Sequence, residues 1–220
     1  MKIEGIQTPA LVLDVNVLKA NMAAMAQILE NCDLKLRPHY KSHKCAALAK
    51  WQMKNGAVGM TCAKLSEAED LALYGVEDIL IANQVVQPQK IAKLAYLAGK
   101  CHLTVCVDDY DNARALSHAA TLAGTTIHCY IELELGMHRC GLDDFEEFYR
   151  LAQTIDGLPG LSYDGIQAYA GHISHMVTKE ERLTETAKNT QKIRDLLAYL
   201  KQEGIEVNTL SGGSTGTAAI

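Results

Sequence analysis

The sequence predicts an α/β fold in which parallel strands alternate with helices, as in a (β/α)8 TIM-type barrel that is incomplete in this chain. Short apolar runs alternate with segments of helical period along the whole chain. Only seven such runs follow the first helical segment, so we expect about seven β/α units rather than eight. No GxGxxG motif follows the first run, which disfavours a doubly wound open sheet.

The predicted strands are apolar runs bounded by turn-forming residues. They lie at 34–41, 57–63, 79–83, 103–107, 127–135, 164–170 and 207–211, after an extended run at 10–13. A closed barrel needs one more unit and typically about 250 residues. We therefore expect one barrel domain, 1–220, that stops before the last barrel strand and before any C-terminal domain.

Apolar stripes and end signals mark the helices. A stripe between 18 and 29 predicts the first helix, with Asp14 or Asn16 as its N-cap. Ser66 and Glu69 have the spacing of a capping box for a later helix. The other end signals are Pro88 in a first helical turn and Gly204 after the last helix.

Composition narrows the class of protein. Hydrophobic residues make up 48% and the net charge is -5 without a basic stripe, so we expect no nucleic-acid partner. The sequence has neither an apolar leader nor a run long enough to span a bilayer, so we expect a cytoplasmic protein with no membrane partner. Seven cysteines without a CxxC pair indicate reduced, packed thiols.

The densest group of reactive side chains ends the first predicted strand, in the run RPHYKSHK at 37–44. Side chains alternate along a strand, so Arg37, His39 and Lys41 are expected on one inward face, at the end of the barrel that carries active sites. A lysine amine there can attack a carbonyl and form an imine. The alternative is a solvated basic loop, and Pro38 is unusual in a central strand.

The segment SGGSTGT at 211–217 follows the last predicted strand. Small residues allow backbone N–H groups to converge on a phosphate, and the loop after strand seven of a barrel is a frequent phosphate site. No lysine follows the glycines, so the segment is not a nucleotide P-loop. The alternative is an ordinary flexible turn.

Polar side chains of the fifth run share one face, which we expect to point inward: His128, Tyr130, Glu132 and Glu134. Buried carboxylates need cationic partners, and Arg139 and Arg37 are available. In the sixth run Gln167 and Tyr169 share a face, and His172 follows within reach of a substrate. A solvent-facing edge strand and ordinary structural polar groups are the respective alternatives.

Five segments in order resemble one family: RPHYKSHK, IANQVV at 81–86, GMHRCG at 136–141, QAYAGH at 167–172 and SGGSTGT. They resemble the D-threonine aldolase and D-serine dehydratase group, which are fold-type III pyridoxal 5'-phosphate enzymes related to the alanine racemase N-terminal domain. The resemblance covers essentially the whole chain. It implies a lyase that acts on D-configured 3-hydroxy amino acids.

The resemblance also implies residue roles. Lys41 carries the cofactor as a Schiff base with His39 beside it, Arg139 lies near the ring hydroxyl, and Gln167 and Tyr169 lie by the pyridine ring. The phosphate is held by Ser211, Gly212, Gly213, Ser214 and Thr215. Lys41, Arg139 and His172 are the implied catalytic residues.

Members of this group have a further C-terminal portion that supplies a divalent-metal site and part of a homodimer interface. We therefore expect a divalent metal in the full-length protein but assign no metal ligand in this chain. The substrate would be a small D-amino acid. Three alternatives stay open: a non-catalytic pyridoxal-phosphate homeostasis protein, an amino-acid racemase, and a metabolic barrel without pyridoxal chemistry.

Overall fold

A computed structural model describes residues 4–30, 32–218 and 220 and contains one sheet of six parallel strands in sequential order. The strands are β1 Met60–Cys62, β2 Asp78–Ile81, β3 His102–Val107, β4 Ile127–Glu132, β5 Leu161–Ala168 and β6 Thr209–Gly212. The α-helices are α1 Val15–Leu29, α2 Ala46–Lys54, α3 Leu65–Leu73, α4 Pro88–Ala98, α5 Tyr110–Ala123, α6 Phe145–Gly157 and α7 Lys179–Gln202. Short 3-10 helices lie at η1 Tyr40–Ser42 and η2 Gly171–His175. The predicted incomplete (β/α) barrel is confirmed as a half-barrel.

Two apolar layers lie on the two faces of the sheet. The larger layer packs the outer face of the strands against the helices, with Leu71, Leu94, Leu116 and Phe148 fully buried within it. The smaller layer lies on the inner face and consists of Leu80, Cys106 and Tyr130 with Ala82 against them. Burial raises the pKa of the Cys106 thiol, so this group packs as a small hydrophobe.

The first predicted strand, 34–41, is wrong as a continuous strand. Only isolated parallel bridges remain there, from Leu36 to Ala57 and from His39 to Thr61. Pro38 has no N–H for a ladder, and the Lys41 N–H donates to His39 Nδ1 at 3.2 Å, which turns the chain into η1. The described residues therefore contain six strands rather than seven, and Lys41 does not continue an inward row with Arg37 and His39.

Several boundaries differ from the predicted ones. The run at 10–13 forms no strand and is largely exposed. β4 ends at Glu132 rather than 135, and β5 begins at Leu161, before the predicted 164. The differences at β4 and β5 are at element ends, where local sequence signals are weakest.

Helix ends follow local chemistry in most places. The side chain of Asp14 accepts hydrogen bonds from the N–H groups of Asn16 and Val17, so Asp14 is the N-cap of α1. Pro88 opens α4, and Gly204 follows α7 with a φ of 80°. The predicted capping box at Ser66 and Glu69 is wrong, because α3 already begins at Leu65 and has Lys64 as its N-cap residue. A capping box does form at α7, between Thr178 and Glu181.

A β-bulge interrupts the pairing of β4 with β5. Cys129 pairs with Tyr163 but Tyr130 pairs with Gly165, so Asp164 is an extra residue without a partner in the ladder. Gly165 has a φ of 156°, and a Cβ there would lie 2.1 Å from the carbonyl oxygen of Thr209 in β6. The bulge therefore requires glycine at this position so that β6 can approach β5.

Replacing Gly165 with alanine should lower the free energy of unfolding by about 2 to 4 kcal/mol, because the added methyl group collides with backbone in a strained conformation. Denaturant unfolding monitored by circular dichroism measures this change. Gly157→Ala is the matched control, since a Cβ at Gly157 meets nothing within 4 Å. Equal unfolding free energies for the two variants would contradict the role given to Gly165.

Candidate functional site

The predicted site residues follow the C-terminal ends of the parallel strands. β4 leads into the loop that carries Arg139, β5 leads to Tyr169 and η2, and β6 ends in the glycine-rich segment. The carboxyl ends of parallel strands meet at one edge, and that edge carries the active site in barrels of this architecture. The topology therefore places these loops at one mouth of the half-barrel.

Lys41 lies on η1 with its side chain exposed rather than on an inward strand face. The neighbouring Tyr40 is buried, and its hydroxyl donates a short hydrogen bond to Asp70 on α3. His43 packs edge-on against the Tyr40 ring at 5.3 Å between centroids and contacts Gln52 Oε1 at 3.2 Å. The turn is thus anchored on both sides of Lys41, which presents the amine from a fixed backbone.

His39 lies directly beside Lys41. Burial, followed by the charge of Lys41, lowers the pKa of His39 to about 4, so its ring is neutral at pH 7. The neutral ring accepts the Lys41 N–H at Nδ1. The structure thus brings these two predicted cofactor residues together.

The buried carboxylate of Glu132 organises the loop after β4. Its Oε2 accepts a hydrogen bond from Gln84 Nε2 at 2.8 Å, and its Oε1 accepts one from Cys140 Sγ at 3.2 Å. Arg139 Nη2 lies 3.5 Å from the same Oε1. These donors compensate a carboxylate that would otherwise be costly to bury.

Arg139 also faces an aromatic ring. Its guanidinium carbon lies 5.5 Å from the ring centroid of Tyr169, within the range of a cation–π contact. The hydrogen bond to Cys140 raises the pKa of Arg139 above its ordinary value, so the group remains a cation. The structure therefore joins two residues that the sequence predicts in one site.

Of the two arginines expected to pair with the carboxylates of the fifth run, one does so. Arg139 pairs with Glu132, but Arg37 forms an ion pair with Asp78 at the start of β2 instead. Glu134 lies beyond the end of β4, where its carboxylate accepts the N–H of Gly136. The strand that would set the direction of its side chain has already ended, so its place on the inward face stays a prediction.

Gln167 Oε1 on β5 and His172 Nδ1 on η2 are among the polar atoms that are buried without a hydrogen-bond partner in the described part of the chain. Gln167 pairs in register with Glu132 on one side and Ser211 on the other. His172 Nε2 lies 3.3 Å from Glu185 Oε1. Unpartnered buried polar atoms suit a bound polar molecule better than an empty core.

The glycine-rich segment is held in place by hydrogen bonds rather than free as a turn. Ser214 N–H donates to Thr217 Oγ1 at 2.9 Å, and Gly216 N–H donates to Ser174 Oγ at 3.1 Å. Gly213 has a φ of 81°, and a Cβ there would find Thr217 Oγ1 at 3.8 Å as its nearest neighbour. The segment leaves open space beside its backbone, which fits an anion cradle.

Comparison with known proteins decides the family. The family described as alanine racemase, N-terminal domain, matches residues 13–220. The chain belongs to this family. Its sequence is 41% identical over 214 residues to a D-threonine aldolase from Arthrobacter sp, covering 97% of this chain and 56% of that protein. It is 36% identical over 214 residues to a 3-hydroxy-D-aspartate aldolase from Paracoccus denitrificans (strain Pd 1222), covering 96% and 55%.

Solved structures of this family agree with the fold. The crystal structure of D-threonine aldolase from Filomicrobium marinum superposes with a TM-score of 0.93 at 38% identity, covering 96% of this chain and 57% of that one. D-threo-3-hydroxyaspartate dehydratase from Delftia sp. HT23 gives 0.89 at 28% identity, covering 97% and 57%. The predicted family is therefore confirmed, and this chain spans about half the length of the curated relatives it matches.

Sequence reasoning missed two residues of this candidate site. Glu132 was expected to point inward, but its partner Gln84 and the carboxylate of Asp108 were not assigned to the site. Gln84 Nε2 lies 3.1 Å from Asp108 Oδ2, which also accepts the Gly141 N–H at 2.8 Å. The IANQVV and GMHRCG segments carried the signal, since polar residues just after buried strands gather at one edge.

Within the described segments, none of the helices has the length and hydropathy needed to cross a bilayer.

Proposed function

We propose that this chain is the cofactor-binding barrel domain, 1–220, of a pyridoxal 5'-phosphate-dependent lyase that cleaves D-configured 3-hydroxy amino acids. The observation that carries the proposal is the Arg139–Tyr169 pair at the mouth of the half-barrel, in a chain 41% identical to a D-threonine aldolase. An aldolase is favoured over a dehydratase because the two aldolases are 41% and 36% identical and the dehydratase is 29% identical.

The described residues fit this cofactor. It needs an amine for its aldehyde, a polar and aromatic surround for its ring, and N–H donors for its phosphate. Lys41 presents an exposed amine, and Tyr169 and Gln167 line the mouth. Gln167 Oε1 has no hydrogen-bond partner among the described residues, so it is available to the cofactor. The phosphate would be held by the segment of Ser211, Gly212, Gly213, Ser214 and Thr215, where Gly213 leaves space beside its backbone.

The side chains of this site have separable tasks. When bound, the cofactor supplies an electron sink for negative charge at the substrate Cα. Lys41 holds the cofactor through its amine, with the neutral His39 beside it. Arg139 keeps a positive charge at the ring edge, and its direction is fixed by Glu132 and Tyr169.

His172 is placed to hold a proton. Its Nε2 lies 3.3 Å from Glu185 Oε1, and because a carboxylate only accepts hydrogen bonds, Nε2 carries the hydrogen and Nδ1 keeps a lone pair. In an aldol cleavage the proton of the substrate β-hydroxyl must leave as the Cα–Cβ bond breaks, and His172 Nδ1, which has no hydrogen-bond partner among the described residues, would accept it. In this proposal His172 accepts the proton and Arg139 supplies a cation at the ring edge.

Three further properties belong to the proposal. The protein is a cytoplasmic homodimer, and the exposed Leu11, Val12 and Leu13 before α1 provide apolar surface for a partner. The divalent metal of this reaction would be held by residues outside this chain. Its substrates are small D-amino acids.

Incubation of the purified full-length protein with pyridoxal 5'-phosphate, a divalent metal and D-threonine or 3-hydroxy-D-aspartate should release glycine and an aldehyde. Chromatography of the products separates the candidate reactions. A keto acid would identify a dehydratase, the L-isomer a racemase, and bound cofactor with unchanged substrate a carrier. Each of those three outcomes would overturn the aldolase proposal.

Lys41→Ala should abolish covalent attachment of the cofactor. After borohydride reduction, peptide mass spectrometry of the unsubstituted protein should locate the cofactor on Lys41. Lys50→Ala on the exposed face of α2 is the control and should keep the attachment. A labelled peptide in Lys41→Ala would remove Lys41 from this role, whatever the activity.

Arg139→Ala should lower kcat/KM by about 100-fold, or about 2.7 kcal/mol, through loss of a fixed cation at the ring edge. The folded state should persist, because Gln84 and Cys140 still donate to Glu132. Arg150→Ala is the control, since Arg150 pairs with Glu146 on the exposed face of α6. An unchanged kcat/KM in Arg139→Ala would exclude the residue from the mechanism.

A further inference from the structure

A second cluster of polar side chains lies at the opposite end of the half-barrel from Arg139. His102, His128 and Asp164 each offer one ligand atom, and these three atoms all lie within 4.8 Å of one another. His102 is the first residue of β3 and His128 the second of β4, so the cluster is at the N-terminal ends of the strands. It is therefore separate from the mouth that carries the proposed lyase site.

The strand register explains why these residues converge. His128 pairs with Thr104 of β3 and with Ser162 of β5, so the three share one face of the sheet. His102 is two positions before Thr104 and lies on the same face. Asp164 is the extra residue of the β-bulge, which turns its carboxylate toward His128.

The proposed ligand atoms lie close to one another, and the Asp164 carboxylate also accepts a hydrogen bond from Ser162. His128 Nδ1 lies 2.6 Å from Asp164 Oδ2, and Ser162 Oγ donates to Asp164 Oδ1 at 2.5 Å. The rings of His102 and His128 have centroids 3.9 Å apart. The Ser162 hydroxyl orients the Asp164 carboxylate, as outer hydrogen bonds orient the ligating carboxylates of protein metal sites.

The spacing suits one ion. Ligand bonds of about 2.0 to 2.2 Å place tetrahedral donor atoms about 3.3 Å apart. The three donors already lie within 4.8 Å of one another, and the His128–Asp164 contact of 2.6 Å would open by less than about 1 Å.

The charge of the cluster favours a divalent cation. Asp164 supplies a carboxylate, and the positive charge of the nearby Arg37 is compensated by Asp78. Two imidazoles with one carboxylate suit Zn²⁺ and related transition metals, whereas Ca²⁺ and Mg²⁺ prefer oxygen ligands alone. We propose that His102, His128 and Asp164 bind one divalent transition-metal ion of the Zn²⁺ type, which links β3, β4 and β5 at the base of the half-barrel.

The ion would act on stability rather than on the lyase reaction. The N-terminal face of such barrels contributes to folding, whereas catalysis takes place at the C-terminal face. An ion that binds only the folded state stabilises it in proportion to its affinity and concentration. Bound between three neighbouring strands, it would stiffen the part of the sheet that contains the bulge.

Zn²⁺ titration of the untagged, chelator-treated protein tests the proposal by calorimetry and thermal unfolding. The unsubstituted protein should bind one equivalent more than His128→Gln or Asp164→Asn, and this difference cancels any metal bound elsewhere. At Zn²⁺ about 100-fold above the dissociation constant, Tm should rise by about 5 °C or more. Mg²⁺ at the same concentration should leave Tm unchanged.

His118→Gln is the matched control, because His118 is exposed on α5 outside the cluster and should keep full stoichiometry. His102→Gln is the variant least able to disturb folding, since His102 is exposed, and its affinity for Zn²⁺ should fall by about 10-fold or more. Circular dichroism checks its fold. Equal Zn²⁺ stoichiometry and affinity in His102→Gln and the unsubstituted protein would overturn the proposal, as would no binding by the latter. Neither result bears on glycine release from D-threonine.

Discussion

The pairing of β4 with β5 is the constraint on which both ends of the half-barrel depend. Asp164 contacts His128 and Gln167 pairs with Glu132, both on the inner face, although Asp164 and Gln167 are an odd number of positions apart. A regular strand would direct them to opposite faces. The bulge resolves this conflict, and Gly165 permits it because β6 passes where a side chain would be. One irregularity therefore positions polar groups at the mouth and at the base.

Sequence alternation predicts well which face of a strand a side chain lies on. It predicts poorly which residues of neighbouring strands lie opposite each other. The inward face of β4, with Tyr130 and Glu132, follows from the two-residue period of a single strand. The end of the first predicted strand was missed because the apolar pattern does not show two local effects. Pro38 has no N–H for strand pairing, and the His39 ring accepts the Lys41 N–H. The pairing of Arg37 with Asp78 and the position of Asp164 depend on which residues lie opposite each other, and no local pattern encodes that.

The candidate site shows the same division. Arg139, Tyr169 and the glycine-rich segment were found from motifs, and the Arg139–Glu132 pair from the need to compensate a buried carboxylate. Two neutral donors, Gln84 and Cys140, were missed, and Gln84 comes from the loop after β2, far along the chain from Glu132. Their presence matters chemically, since Glu132 is already hydrogen-bonded without Arg139. The guanidinium is therefore free to face the Tyr169 ring while its charge remains at the mouth.

Lys41 depends on packing rather than on strand pairing. Its backbone belongs to η1, in which the adjacent Tyr40 is buried and donates a hydrogen bond to Asp70. Because Asp70 is on α3, that helix sets the position of the turn. A long side chain on such a turn keeps its rotamer freedom, while its Cα is fixed. Under the proposed function, a fixed Cα with a mobile side chain suits an amine that binds the cofactor and later exchanges it for a substrate. It also explains why strand alternation could identify Lys41 as a candidate and still misplace it: the chemistry is local to the motif, whereas the anchor is on a helix farther along the chain.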